Sequence, residues 1–285
     1  MTRIRDRLAA DLELAGRAKS TRRHYSYCAH RFVKWIDKPL KRVGEEDVRA
    51  FLLWLVRDRK LSVGAYLPHL GALRFLFTVT LKRPEVVVGI PWPKMRRQRP
   101  DALTRDEVRR VIEAAPSPYW RAFFATAYAA GLRRTEVAHL RAEHLDAKTG
   151  LLRVVAGKGG KNREVMLDPT LLAALRRHWR THALPGPWLF PARGLRGCGW
   201  QDHPVNLGQA SRAFKAARVA AKITRKVTLH GLRHAFATHM LEDGVDLVTL
   251  QVLLGHDRIE TTSRYTQIRT DRITSTRSPL RRLWP

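Results

Sequence analysis

Apolar positions recur at three- and four-residue spacing through most of the first ninety residues, the period of an amphipathic helix. Leu8, Leu12 and Ala15 make a first stripe. Tyr25, Cys28, Phe32, Trp35 and Ile36 make a second, with Ser20 as its expected N-cap and Pro39 as its stop. A third opens on Glu45, Glu46 and Asp47, where negative charge suits the positive end of a helix dipole. Its inner face is Val48, Phe51, Leu52 and Leu55. A fourth runs from Ser62 through Leu70, Leu73, Phe77 and Leu81, and Pro68 beyond its first turn predicts a kink or a late start.

The pattern then changes. Ile90–Pro100, IPWPKMRRQRP, has prolines at 91, 93 and 100 and four basic residues, which predicts an extended, stiff connection. Thr104–Glu107, TRDE, is a capping box that starts a new helix, broken at Pro116 and Pro118. The stretch YWRAFFATAYAA predicts a strongly buried helix up to Gly131. Next comes GLRRTEVAHLR, a helix carrying Val137 and Leu140 with Arg133 at its start. A cation there opposes the helix dipole, so the position calls for an anion. That anion is Glu136 within the protein, a phosphate outside it, or both. Leu151–Val155 and Glu164–Leu167 read as two strands of a hairpin around the glycine-rich AGKGGKNR. A nucleotide-binding loop needs Ser or Thr after Gly-Lys at the opening of a helix; here Asn162 and Arg163 lead into a strand. Residues 185–203 are rich in Gly, Pro and Arg and read as loop, and Asn206–Ala221 as a helix. Leu229–Thr266 reads as short helical segments stopped at Gly244 and Gly255.

Charge alters this picture more than composition does. Among 285 residues, 44% are hydrophobic, as in an ordinary globular chain. Lys and Arg number 54 against 25 acidic residues, a net charge of +29. Such an excess implies a polyanionic partner. Both halves of the chain carry it, which favours a clamp gripping DNA from two sides. Arg22 and Arg23, with Arg17, Lys19, Arg31 and Lys34, lie between the aromatic positions of the early helices. They read equally as a solvated face or as a track for a DNA backbone. Lys94, Arg96 and Arg97 let the connecting segment lie along phosphate, and Lys158 and Lys161 project from the hairpin turn toward a DNA groove or toward solvent. Cys28 and Cys198 belong to no CxxC pair, so no zinc site or disulfide framework is implied. No uncharged apolar run reaches the ~18 residues of a membrane span, and the first residues lack a signal core. The expectation is a soluble, cytoplasmic protein associated with the nucleoid.

Cutting a phosphodiester without a metal needs an in-line nucleophile, cations on the non-bridging oxygens and an acid for the leaving alkoxide. Arginine binds phosphate oxygens with a planar fork, and tyrosine can attack and remain as a covalent phosphotyrosine. The chain offers Arg133, Lys158, His230, Arg233, His256 and Tyr265 for these tasks and no acidic cluster suited to two metal ions. His230 and Arg233, three apart, share a helix face. His230, His234 and His239 lack the Glu of a zinc-protease motif, since Gly231 follows the first. His234 and His239 read as core or supporting residues. No metal and no cofactor are called for.

The order of these motifs resembles the tyrosine recombinases, the phage-integrase family. GLRRTE resembles the family's first arginine box, with Arg133 and its acidic companion Glu136. GKG matches its hairpin lysine at Lys158, HGLRHAFATH its HxxR box at His230 and Arg233, LLGH its histidine at His256, and TTSRYT its tyrosine at Tyr265. The resemblance implies a mainly α (α+β) fold. A helical, SAM-like core-binding bundle (residues 1–89) and a basic linker (90–103) would precede a catalytic domain with a small antiparallel sheet (104–285), forming a C-shaped clamp. It further implies metal- and ATP-independent recombination. Tyr265 forms a 3′-phosphotyrosine, Arg133 and Arg233 clamp the phosphate, Lys158 protonates the leaving oxygen, and His230 and His256 bond the phosphate. Partners would be double-stranded DNA with paired inverted-repeat sites and a homotetramer, or a heterotetramer with a related recombinase. A type IB topoisomerase and a catalytically inactive DNA-binding relative are the alternative readings.

Overall fold

The computed structural model describes residues 2–93, 102–155, 162–182, 186–194 and 199–255. Lys94, Arg96, Arg97, Lys158, Lys161, His256 and Tyr265 fall outside them. Contacts gather into two units, residues 1–99 and 100–285.

The first unit is helical throughout. It holds α1 (Thr2–Leu14), α2 (Lys19–Ile36), α3 (Glu45–Arg57), α4 (Val63–Phe75), a π-helical turn over Leu76–Thr80, and α5 (Glu85–Val88). The stripes read from periodicity are its core: Leu8, Leu12, Phe32, Phe51, Leu55, Leu70 and Phe77 are all buried. Phe32 packs edge-on against both Phe51 and Phe77, an arrangement suited to the quadrupoles of the rings. Two expectations fail. Helix α2 starts one residue before Ser20, with Ala18 in the cap position and no side-chain cap. Helix α4 starts at Val63 and runs through Pro68, the missing backbone bond being tolerated within a helix whose inner face is buried. The irregularity comes later, at the π-turn.

The second unit is built around α7 (Pro118–Ala129), whose residues Phe123, Phe124, Ala127, Tyr128 and Ala129 are 2% exposed or less. Helices α6 (Arg105–Glu113), α9 (Pro169–His182), α10 (Leu207–Ala220) and α11 (His230–Glu242) pack on it. Thr104 caps α6 with the expected box: its hydroxyl accepts from the Glu107 N–H, and the Glu107 carboxylate accepts from the Thr104 N–H. A three-stranded antiparallel sheet, β1 (Leu145–Asp146), β2 (Leu151–Val154) and β3 (Arg163–Met166), is ordered β1-β2-β3. Its register pairs Leu151 with Met166 and Val154 with Arg163. The region expected to be loop contains a second hairpin, β4 (Pro191–Arg193) with β5 (Trp200–Pro204). It forms because Tyr119 of α7 holds it: the Tyr119 hydroxyl donates to the Pro191 carbonyl at 2.8 Å and its ring stacks on Trp200. Helix α9 had no place in the sequence reading, although Asp168 and Pro169 form an ordinary helix start. Among the described residues, no helix is long and apolar enough to cross a membrane.

Helix α7 ends at Gly131, with φ +58, where L side chains are strained. A Cβ on it would lie 2.5 Å from the Phe236 ring of α11. Gly131→Ala is therefore expected to lower stability by about 2 kcal/mol or more. Thermal or denaturant melting checks this, and an unchanged midpoint would show that the α7–α11 contact has slack.

Candidate active site

Three short elements converge just beyond Gly131. Helix α8 (Arg134–Ala138) begins with Arg133 as its N-cap residue. Helix α11 begins at His230 and turns Arg233 inward. Helix α12 (Leu247–Leu254) ends at Gly255, whose φ of +59 stops the helix where the sequence places the stop.

The last carbonyls of a helix have no partners within it and carry the negative end of its dipole. In α12 three consecutive ones are each taken by an arginine. Arg163 Nε donates to Leu253 O at 2.8 Å, Arg233 Nη2 to Leu254 O, and Arg133 Nη2 to Gly255 O at 2.8 Å. Arg233 Nη1 also donates to Gly131 O at 2.7 Å, tying the end of α7 into the same knot.

The three guanidiniums share one carboxylate. Glu136 Oε1 accepts from Arg133 Nη1 at 2.7 Å and from Arg163 Nη1 at 2.9 Å. Its Oε2 accepts from the Arg133 backbone N–H at 2.7 Å and from Arg163 Nη2 at 2.8 Å, while Arg233 Nη1 stands 3.9 Å away. The anion required beside Arg133 is thus found inside the protein. Burial alone would raise the Glu136 carboxyl, but the Arg163 fork and the Arg133 donors outweigh it and hold its pKa at about 2. Arg233 is only 4% exposed. Burial, then Arg133 and Arg163, press its pKa down to about 9, so it stays charged at neutral pH. Three arginines around one carboxylate leave two positive charges uncompensated.

His230 stands exposed at the rim. Packing, then the fields of Arg233 and Arg133, hold its pKa below the usual imidazole value, which favours the neutral ring at pH 7. Beside it a basic cavity of about 750 Å³ opens between α8, α10 and α11, lined by Arg133, Arg134, Lys215, Arg218, Lys226 and His230.

The structure therefore brings Arg133, Glu136, His230 and Arg233 together. Arg22 and Arg23 belong to the first unit: Arg22 is half-buried and paired with Glu13, and Arg23 is exposed. His239 is buried, its Nδ1 bonded to the Tyr128 hydroxyl at 2.8 Å, as a core residue should be. His234 is exposed and supports nothing. Sequence reasoning missed Arg163 and the α10 cations. Arg163 had one available signal: alternation puts it on the same strand face as the buried Val165.

The Glu136 cluster predicts an acid transition. The folded carboxyl, at about 2, lies below its ordinary 4.5, so the stabilisation is full above pH ~4.5 and is lost as pH falls through 2. Its size is on the order of 3 kcal/mol. The stability gap between the native chain and Glu136→Gln should therefore shrink steadily from pH 5 to pH 2 in urea melts. A constant gap would mean that the carboxylate is not held by these arginines.

Similarity to known proteins agrees with this geometry. Residues 101–272 match the phage integrase family, and residues 4–85 match the phage integrase N-terminal SAM-like domain. A putative integrase/recombinase of Sinorhizobium fredii is 36% identical over 98% of this chain and 89% of its own length. The tyrosine recombinase XerA of Pyrococcus horikoshii is 32% identical over 94% of this chain and 90% of its own. In fold, the chain is similar to a lambda integrase dimer bound to a core site, with a TM-score of 0.72 at 20% identity over 90% of this chain and 95% of that one. It is also similar to XerH recombinase bound to its difH substrate, with a TM-score of 0.65 at 21% identity over 86% and 76%. With the family matched across most of its length and the arginine cluster in place, the chain belongs to the phage integrase family and is a tyrosine-type site-specific recombinase.

Proposed function

We propose that this chain cuts and rejoins double-stranded DNA at paired inverted-repeat sites through a 3′-phosphotyrosine on Tyr265, with no metal or ATP. The observation that carries the proposal is the arginine cluster. Two net positive charges converge on a point that His230 overlooks, and no protein anion among the described residues balances them. A phosphodiester brings one negative charge, and its pentavalent transition state brings a second on the non-bridging oxygens. Arg133 and Arg233 are already immobilised by Glu136, Gly131 and the end of α12, so binding the transition state requires little reorganisation.

Tyr265 attacks phosphorus, the phosphotyrosine forms, and the 5′-oxygen departs with a proton supplied by Lys158. His230 and His256 hydrogen-bond the phosphate, and His230, held neutral, can take the tyrosine proton. The bond energy is kept in the protein–DNA link, and a 5′-hydroxyl from the partner strand reverses the step. Residues 1–89 would serve as core-binding domain, 90–103 as linker and 104–285 as catalytic domain. Arg22, Arg23, Lys94, Arg96, Arg97 and Lys161 would grip the phosphate backbone. A tetramer on two duplexes fits the chemistry, since each strand exchange needs two active protomers, and a lambda integrase tetramer on a Holliday junction has the same fold. Work on DNA without a membrane segment places the protein in the cytoplasm, on the nucleoid.

Tyr265→Phe should abolish covalent protein–DNA adducts on nicked duplexes tiling the DNA beside the gene, while DNA binding survives. Adducts should persist in excess EDTA. Adducts formed by the Phe variant would remove Tyr265 as nucleophile, and relaxation of plasmids lacking any such site would favour the topoisomerase reading.

A further inference from the structure

Arg163 has no role in the chemistry described above, yet all three of its side-chain nitrogens are bonded. Nη1 and Nη2 grip the two Glu136 oxygens at 2.9 and 2.8 Å, and Nε donates to Leu253 O at 2.8 Å. Its side chain is 8% exposed. The two-pronged hold on a carboxylate belongs to the planar guanidinium; an ammonium cannot reproduce it. The aliphatic part of the side chain lies against Gly255, where an added Cβ would approach Arg163 Cδ to 3.0 Å. Arg163 therefore joins three elements that are far apart in sequence: strand β3, the Glu136 turn and the end of α12.

Consider the cluster without it. Glu136 would remain buried with Arg133 and Arg233 as its remaining cations. Arg233 Nη1, already 3.9 Å from Oε2, would be drawn toward the carboxylate and off the Gly131 carbonyl. One of the two uncompensated charges would then be spent on the protein rather than on substrate.

We infer that Arg163 is a positioning residue: it neutralises Glu136, so that Arg133 and Arg233 remain available to one phosphate group, and it fastens the last turn of α12 to the same carboxylate. This rests on the reading of Arg133 and Arg233 as the phosphate clamp. Arg163 itself touches no substrate.

The test compares the full-length chain with Arg163→Met, Arg163→Lys and the double variant Arg163→Met/Glu136→Gln. Adduct formation is followed in single turnover on the nicked duplexes and expressed per folded molecule from melting curves. Arg163→Met should slow the step by about 10²-fold, the scale seen when one preorganised donor is lost. Arg163→Lys should recover part of the loss, since it restores the charge without the fork. The double variant removes the carboxylate that competes for the arginines, so its rate should return to within about tenfold of the native chain. In Arg163→Met the rate relative to the native chain should rise as pH falls from 8 to 5, because Glu136, freed of the fork, takes up a proton and releases the arginines. A merely structural Arg163 would give an unchanged rate per folded molecule and a flat ratio against pH. An Arg163 that contacts the phosphate would leave the double variant as slow as the single. Either result overturns the inference.

If the native chain forms no adduct, the recombinase chemistry falls instead. Arg163 is then judged by inorganic phosphate alone. Added phosphate should raise the melting temperature of the native chain and of the double variant but not of Arg163→Met. Equal shifts in all three would refute the positioning role.

Discussion

The second unit depends on one arrangement: three guanidiniums held between a single buried carboxylate and the exposed carbonyls at the end of a helix. Glu136 supplies the charge and the C-terminus of α12 supplies the directed acceptors. Neither would suffice alone. A lone buried carboxylate is costly, and removing one partner from such a cluster leaves an uncompensated charge that costs about 3–5 kcal/mol. Free helix carbonyls would be left unsatisfied. Together they fix three long, flexible side chains that would otherwise be disordered.

The fold serves that arrangement. Helix α7 is buried on nearly every side, which makes its end a fixed point. Gly131 allows Phe236 to come close, so α11 meets α7 where Arg233 can reach both the Gly131 carbonyl and the end of α12. Arg133 follows two residues later, and the short helix it opens places Glu136 one turn away. The antiparallel pairing of β2 with β3 delivers the third arginine from the opposite side.

The cluster is also frustrated, which bears on its chemistry. Its cations outnumber its anions, and burial together with two like charges depresses Arg233. That strain is relieved by an anion placed in the cavity beside His230. A site of this kind binds a phosphate more strongly as the phosphate gains charge, which is the condition for favouring a transition state over a ground state.

Local rules were enough for much of this protein. Helical periodicity located the core of the first unit, the TRDE box located the start of α6, and Gly255 ended α12 as read. The motif order identified Arg133, Glu136, His230 and Arg233, because chemistry demands those residue types in a basic chain, and the resemblance arranged them. Local rules failed where a contact from far along the chain overrode a weak propensity. The β4–β5 hairpin exists because Tyr119 holds it from about seventy residues upstream. Helix α4 runs through Pro68 because its inner face is buried. Arg163 looked like a strand opener beside a glycine-rich turn. Its role depends on Glu136, 27 positions earlier, and Leu253, 90 positions later. The sequence by itself determined which side chains can carry the chemistry and which faces must be buried. Only the tertiary structure decided which carboxylate balances which arginine, because that balance is set by distance in space, and spacing along the chain does not encode it.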